Sequence, residues 1–329
     1  MRRISGLTIV LAIAAWLALP GSAAAGGISG GAPVAKGVPG TIGADTAGLT
    51  APGVSERIIQ LPSDRGTVIA RVEQDGGDLI RSASFREGLN IPAVAYDGSP
   101  GGLSADGKTL VLLPSQASPR STTLAVLDAE RLRVEKRVSL RGAFSFDAIS
   151  PDGSRIYLIE YLSRADPTRY AVRELDLRSE RLLPAPILDP DEPPGEMRGT
   201  ASTRATSPDG RWAYTLYDGA EYPFIHALDT VKGRAVCIDL DMLAVNRGAY
   251  RHDLAPNSDG SALNVVDRKG ATVAVVDSRT FEVSPPTAND DGDGFPWVLV
   301  MIAALALIAA TLTLGLRRRR HGVAPGGAR

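Results

Sequence analysis

Residues 207–216 read SPDGRWAYTL, and this stretch decides the fold of the chain. The pair Asp209-Gly210 suits a two-residue hairpin turn, because glycine tolerates positive φ and the aspartate side chain can bond to nearby backbone. The run that follows, with Trp212 and Tyr214, is rich in aromatic residues and is typical of a β-strand. The stretch therefore predicts a turn that leads into a strand.

The same Asp-Gly turn motif occurs four times along the chain. Asp-Gly recurs at 106, 152, 209 and 259, so the spacings are 46, 57 and 50 residues. An apolar run follows each copy, and it is aromatic in two of them. The segments are Ser104–Lys108, Ser150–Ser154, Ser207–Arg211 and Asn257–Ser261.

A second sequence pattern, which we call the second marker, recurs with the same period as the Asp-Gly turns. An apolar residue followed by Asp recurs, and six residues after each Asp comes another apolar residue. This spacing predicts a second hairpin, which joins the third and fourth strands of each unit. A fainter copy lies at Val72-Glu73, and its first turn is the degenerate Pro52-Gly53. The four clear copies begin at Leu127, Leu175, Leu228 and Val276.

A period of 40 to 50 residues with four short strands per unit is the signature of a β-propeller. No segment between 30 and 290 has the pattern of a long amphipathic helix. The Ser-Pro-Asp-Gly turn followed by an aromatic strand resembles the WD-type, TolB-like and YVTN-type repeats of exported bacterial propellers, over about 50–283. In those families the turn implies blade structure and not a reaction.

The repeats predict an all-β propeller of about five four-stranded blades, with four clear units and one eroded unit. Six or seven blades are the alternative, with eroded blades hidden in 26–66 or in the proline-rich insertion 184–202, which we expect to be an exposed loop. An open solenoid ranks last, because it would leave sheet edges unprotected.

The N-terminus has the pattern of a secretory signal peptide, residues 1–25. Arg2 and Arg3 precede an apolar run from Leu7 to Leu19, and small residues at Ala23 and Ala25 suit a signal peptidase. The apolar run spans roughly 20 Å as a helix, which is short for a bilayer core of about 30 Å. We therefore expect cleavage rather than an uncleaved anchor.

The C-terminal region predicts a transmembrane helix at 295–316. This run contains 22 residues without a charge, and Arg317–Arg320 follow at once. Such a run is long enough to cross a bilayer, and the arginines favour a cytoplasmic end. We expect a single-pass plasma-membrane protein with an extracytoplasmic body and a cytoplasmic C-terminus. The predicted parts are a flexible lead-in at 26–54, a propeller at 55–283, an acidic linker at 284–294 and a basic tail at 317–329.

The charge of the exported body limits its partners. Residues 26–316 contain 29 basic and 37 acidic residues, a net charge of −8. Nucleic-acid binding needs a basic face, so we expect no nucleic-acid partner. The expected partners are the plasma membrane, through 295–316, and a protein, peptide or glycan of the cell envelope.

Catalytic and metal-binding signatures are scarce, and we name no catalytic, cofactor-binding or metal residue set. His226 lies in a strand-like run, His252 precedes the last Asp-Gly turn and His321 falls in the tail. Cys237 is the single cysteine and fits a buried small residue. Four polar residues in strand-like runs could line a central channel: Glu160, Tyr161, Arg173 and Glu174.

A weak calcium motif occurs in the acidic linker. It contains Asp290, Asp291 and Asp293, but it lacks the terminal Glu of a calcium loop and leads directly into the membrane helix. A linker is the preferred interpretation, and no cofactor is expected.

Three functions are compatible with the sequence. The first is a non-catalytic, membrane-tethered binding or scaffold module in the cell envelope. The second is a propeller-type enzyme such as a lactonase-like hydrolase, which needs carboxylates or histidines that converge at a channel mouth. The third, a sensor that signals through the membrane helix, has only nine residues after Arg320 to signal with.

Overall fold

A computed structural model describes residues 48–286, apart from 64–65, 75–77, 87, 115–119, 164, 193–196, 220–221 and 244–247. Within these residues the chain forms five antiparallel sheets in sequence order, and the one helix is a single 3-10 turn, Ala249–Arg251. The described chain is thus all-β, and its five sheets are consistent with a β-propeller. The predicted signal peptide and membrane helix lie outside the described residues.

The strands follow chain order within each sheet. Sheet 1 contains β1 (Glu56–Ser63), β2 (Gly66–Glu73) and β3 (Leu79–Phe85). Sheet 2 contains β4 (Leu89–Asn90), β5 (Thr109–Pro114), β6 (Ser121–Asp128) and β7 (Arg133–Arg141). Sheet 3 contains β8 (Phe144–Ile149), β9 (Arg155–Tyr161), β10 (Arg169–Asp176), β11 (Arg181–Ile187) and β12 (Met197–Arg198). Sheet 4 contains β13 (Thr200–Thr206), β14 (Trp212–Asp218), β15 (Phe224–Asp229) and β16 (Arg234–Asp239). Sheet 5 contains β17 (His252–Pro256), β18 (Ala262–Asp267), β19 (Thr272–Asp277) and β20 (Val283–Ser284).

Two sheets depart from four strands. Sheet 1 has three strands, and a single bridge from Leu49 to Ile58 stands where the other sheets have their first strand. Sheet 3 gains a fifth strand, because β12 pairs with the start of β10. The eroded first unit that the sequence predicts is therefore present, with its innermost strand reduced to one residue pair.

The Asp-Gly turns close longer loops than the sequence predicts. Ser207 and Trp212 form the last backbone pair, so the loop has four residues and not two. Gly210 has a φ of 73°. The Asp209 carboxylate accepts hydrogen bonds from the Ser207 hydroxyl and the Arg211 N–H. The serine and aspartate side chains hold the turn together, and the same Ser–Asp bond recurs in the turns of sheets 2 and 3.

The second marker predicts the strand register correctly. In each of sheets 2 to 5, the apolar residue before the Asp pairs with the apolar residue six positions after that Asp. Val72 pairs with Leu79 in the same way in sheet 1. The four pairs are Leu127 with Val134, Leu175 with Leu182, Leu228 with Ala235 and Val276 with Val283.

Hydrophobic clusters fill the spaces between neighbouring sheets. Ile58 and Ile69 of sheet 1 pack with Leu110 of sheet 2, and similar clusters join sheets 2 and 3, 3 and 4, and 4 and 5. Among the residues that the structure describes, no cluster joins sheet 5 to sheet 1. Ring closure therefore stays a prediction.

The sheets share a common centre, where their Asp-Gly turns meet. The N–H of Asp106 donates to the Pro151 carbonyl at 3.0 Å, which joins the turns of sheets 2 and 3. A Cβ on Gly210 of sheet 4 would lie 2.4 Å from the Cβ of Ala105 in sheet 2, so only glycine fits there. Turns from non-adjacent sheets 2 and 4 are thus in contact, as expected if the sheets radiate from one axis.

The proline-rich segment 184–202 is only in part the exposed loop that the sequence predicts. Pro184 and Pro186 lie in β11, the outermost strand of sheet 3, where proline is tolerated at a sheet edge. Residues 197–198 and 200–206 form β12 and β13. Asp189 is buried and bonds to sheet 4, so the described part of this segment holds no extra sheet.

Candidate functional site

A buried ion pair lies at the centre of the sheets. Asp147 is in β8 and Arg204 is in β13, the first strands of sheets 3 and 4, and their side chains are 1% and 7% exposed. The guanidinium also donates to the Asp147 carbonyl and, through Nε, to the Thr215 hydroxyl, both at 2.7 Å. Because burial of either charge alone is costly, the two side chains hold the two sheets together at the axis.

A β-bulge places Asp147 at this position. The ladder between β8 and β9 skips from Phe146 to Ala148, so Asp147 has no partner across the strand pair. A bulge rotates one residue out of the alternating pattern, which allows a charged side chain in a strand whose residues are all buried.

A polar row crosses sheet 4 on the face that packs against sheet 3. Register pairs join Arg204 to Thr215, Thr215 to His226, and His226 to Cys237. The far end of the row meets sheet 3 again, since the Cys237 N–H donates to Asp189 Oδ2 at 2.6 Å. The boundary between sheets 3 and 4 therefore contains a polar layer within its hydrophobic cluster.

The imidazole and the thiol of this layer are held in their neutral forms. Burial lowers the pKa of His226 to about 4, so its imidazole is uncharged at neutral pH. Burial, followed by the nearby Asp189 carboxylate, raises the pKa of the Cys237 thiol to about 12. A thiol of this kind is not a nucleophile near pH 7.

Four buried polar atoms near this layer have no hydrogen-bond partner among the described residues. They are Asp147 Oδ2, His226 Nε2 and the hydroxyls of Tyr170 and Tyr217. The Tyr170 and Tyr217 rings are stacked with centroids 5.6 Å apart, and the His226 ring meets Tyr217 edge-on. Buried polar atoms are normally paired, so a concentration of exceptions in one place distinguishes this boundary.

A cavity of about 590 Å³ opens among the Asp-Gly turns, and we call it the turn-end cavity. Its walls come from sheets 1 to 4. They include many glycine, alanine and proline residues, and the charged residues of the lining, within the part of the chain that the structure describes, are Asp147 and Arg204. This volume lies within the usual range for small-molecule sites, about 300 to 1,000 Å³.

A hairpin at residues 91–101 interrupts the first strand of sheet 2, and we call it the central hairpin. Ala93 bridges Pro100 at its base, and its tip crosses to sheet 4. There the N–H groups of Tyr96 and Asp97 donate to the carbonyls of Ala201 and Ser202 at 2.9 and 3.1 Å. The hairpin thus covers the inner edge of β13.

A smaller cavity of about 190 Å³ lies on the other side of the central hairpin. Val94 lines both cavities, and the tyrosines of the smaller one are Tyr96, Tyr161, Tyr170 and Tyr217. Burial raises the pKa of Tyr161 to about 12, and its hydroxyl lies 3.0 Å from the Ser145 hydroxyl.

The polar residues that the sequence proposes as channel-lining have other roles, with one exception. Arg173 pairs with Glu160, and Arg155 approaches Glu174 at 3.5 Å, so these four stabilise sheet 3. Tyr161 alone lines a central cavity.

The histidines and the cysteine are placed as follows. His226 is buried in a strand, as the sequence indicates, but it lies in the polar layer. His252 is half-buried, and its Nδ1 lies 2.7 Å from the Gly248 carbonyl. Cys237 is only partly buried, beside His226. His321 lies outside the described residues.

No metal centre is found in the part of the chain that the structure describes, where no three His, Cys, Asp or Glu residues are grouped as ligands. The weak candidates Asp290, Asp291 and Asp293 lie outside that part. Within residues 48–286, as far as they are described, no helix is long and apolar enough to cross a membrane.

The sequence missed Asp147 and Arg204, because neither lies in a repeat marker and because Asp147 stands at a bulge. Asp147 stands in the run FSFDAIS and Arg204 in TASTRAT, neither of which carries a repeat marker. The single charged residue in each of these two runs was the available signal.

Comparison with known proteins gives structural matches only. No protein family matches the sequence, and no curated protein does. The similar structures include dihydro-heme d1 dehydrogenase NirN, at 15% identity, with 74% of this chain covered and a TM-score of 0.44. The chain spans 45% of the length of that protein.

Two further matches are β-propeller structures. A protein assigned as TolB from Agrobacterium tumefaciens is 14% identical, with 71% of this chain and 79% of that one covered and a TM-score of 0.42. The β-propeller domain of Cps50 (Swd1) from Myceliophteria thermophila is 7% identical, with 74% and 68% covered and a TM-score of 0.40. These two structures are of the TolB-like and WD-type kinds that the repeats resemble, and no activity or ligand is inferred from them.

Proposed function

We propose that the chain is an exported, membrane-tethered propeller that binds a ligand of the cell envelope in its turn-end cavity. The observation that carries this proposal is the cavity itself, whose walls come from four sheets that meet at one axis. Concave sites with a few polar groups on a rigid scaffold are the usual place for ligand binding.

The location rests on the two ends of the sequence. The predicted signal peptide at 1–25 exports the body, and the predicted helix at 295–316 holds it at the membrane. The linker at 284–294 keeps the propeller within a short reach of the outer leaflet. A ligand must therefore be available there, as an envelope protein, peptide or glycan.

The chemistry of the centre favours binding over catalysis. Asp147 is held by Arg204 and is almost fully buried, so it does not face the cavity as a free base. His226 is neutral, 1% exposed and separated from solvent. A general base must reach the proton that it removes, and neither group has that access.

Two measurements test this proposal. Protease added outside intact spheroplasts should remove the body and leave a membrane-bound C-terminal fragment. Full protection of the body would refute export.

The second measurement concerns the cavity. Thr206 lies at its rim and is exposed, so Thr206→Trp should block the mouth while the fold is kept. Ser121→Trp, at the opposite end of sheet 2, is the matched control. Envelope components that are retained by the wild type and the control but lost by Thr206→Trp support the proposal. Equal retention by all three contradicts it.

One observation supports the alternative of a lactonase-like hydrolase. A carboxylate, a guanidinium and an imidazole lie near one axis, as such an enzyme requires. Hydrolysis of a simple lactone by the wild type, with loss of the activity in His226→Leu, would favour the enzyme. The binding proposal expects no turnover above the buffer rate.

A further inference from the structure

We propose that the turn-end cavity recognises a neutral, hydroxyl-rich ligand of one or two sugar rings. This inference rests on the binding function proposed above and specifies its ligand. It is argued from the charge, the free hydrogen-bonding groups and the shape of the cavity.

The charge of the cavity excludes ionic ligands. Among the described residues of its lining, only Asp147 and Arg204 are charged, and they neutralise each other. A phosphate, carboxylate or ammonium group would lose its hydration there without gaining a counter-ion, which is costly. A neutral ligand avoids this cost.

The groups that are free to bind are hydroxyls and an amide. The side chains of Thr50, Gln74 and Thr206 line the cavity, are exposed and form no hydrogen bond with the described residues. They come from sheets 1 and 4, on different sides of the cavity. Each can both donate and accept, which matches the hydroxyls of a sugar.

Other polar groups of the wall are already used by the turns. The hydroxyls of Ser104 and Ser207 bond to Asp106 and Asp209, and the Thr230 hydroxyl bonds to the Arg211 carbonyl. The binding groups are therefore the three side chains at the rim, together with the backbone of the glycine-rich walls.

A peptide fits this cavity less well. An extended peptide would bind best by adding to a free strand edge, but the central hairpin already occupies the inner edge of β13 through Tyr96 and Asp97. Many wall residues are glycine, alanine or proline, and the pocket lined by tyrosines lies on the other side of the hairpin. A compact ligand of about 590 Å³ or less is the better match.

The test is calorimetric titration of the full-length chain, purified in a detergent without a sugar headgroup. The first arm is a panel of neutral mono- and disaccharides, including glucose. The second is glucose 6-phosphate, which adds a charge to the same ring. The third is an N-acetylated triglycine amide, a neutral peptide.

We expect at least one neutral sugar to bind, and we expect a phosphate on the ring to weaken binding at least tenfold. Gln74→Ala and Thr206→Ala should each lower the affinity about 3- to 10-fold, since each removes one neutral hydrogen bond. Ser121→Ala, a hydroxyl deletion at the far end of sheet 2, should leave it unchanged.

The outcomes separate the two proposals. If the peptide or the sugar phosphate binds and Thr206→Trp blocks it, the sugar inference is wrong and the binding function stands. If no neutral sugar binds, the sugar inference is likewise overturned. If neither a probe nor an envelope component depends on Thr206, both proposals fail.

Discussion

The buried imidazole of His226 should make the propeller less stable in mild acid, and the size of the effect can be worked out. The folded state holds the pKa of His226 at about 4, against 6.5 for an unperturbed histidine. Between these two pKa values, His226 therefore binds a proton in the unfolded state but not in the folded state. Stability is fully present above pH 6.5 and is lost as the pH falls through 6.5 towards 4.

Linkage converts these two pKa values into a free energy of unfolding. Between pH 7.5 and pH 5.0 the loss is about 2 kcal/mol, and it approaches about 3 kcal/mol once the folded-state histidine also titrates. The turn aspartate Asp152 contributes little in this window, because a hydrogen bond from the Ser150 hydroxyl lowers its pKa to about 2 and its carboxylate stays charged.

Urea unfolding at pH 7.5 and pH 5.0, followed by tryptophan fluorescence, measures the effect. His226→Leu is the matched variant, because leucine fills a similar volume and cannot titrate. The wild type should lose about 2 kcal/mol more than the variant between the two pH values. If both proteins lose the same amount, the imidazole is not held neutral and the reasoning is wrong.

Four further predictions concern stability and can be measured by urea unfolding at pH 7.5. Glu180 has a φ of 55° at the position where sheet 4 has Gly233, so Glu180→Asn should stabilise the protein by about 0.5–1 kcal/mol, and a loss would contradict the strain. Gly233→Ala should cost about 2 kcal/mol, since the new Cβ would lie 2.5 Å from Glu174 Oε2 at a φ of 64°, and a neutral result would show that the turn relaxes. Arg204→Met should cost about 3–5 kcal/mol, and adding Asp147→Leu should recover much of it, whereas additive losses would argue against the buried pair. Tyr217→Phe should be neutral or stabilising by up to about 1 kcal/mol, because the hydroxyl has no partner among the described residues, and a clear loss would reveal one.

The repeat predicts most of the scaffold because its markers are local. An Asp at a turn bonds to backbone two or three residues away, and the register of the following strand is fixed by that turn. Val276 and Val283 could therefore be paired from spacing alone. The same locality explains the one error in turn length, since Asp209-Gly210 is compatible with loops of two and of four residues.

The central hairpin could not be predicted, because its partners are distant in sequence. Residues 91–101 carry no repeat marker, and the Tyr96 N–H finds its acceptor at Ala201, more than a hundred residues away. The prediction for the proline-rich segment was wrong in part for the opposite reason, because there a local signal was misleading. Its prolines indicate a loop, but the edge of sheet 3 has no outer neighbour that needs their missing N–H groups.

The boundary between sheets 3 and 4 shows why the candidate site escapes the repeat. Repetition specifies what the sheets share, namely turns, register and apolar faces. Asp147, Arg204 and His226 occur at a single boundary. Because they are not repeated elsewhere in the described sheets, no repeated sequence pattern points to them. A bulge, a polar row and four unpartnered atoms lie together there, beside the hydrophobic cluster that joins the two sheets. Selection for stability alone would favour an apolar replacement of a buried ion pair of this kind. The polar layer is therefore the part of the scaffold that stability alone explains least.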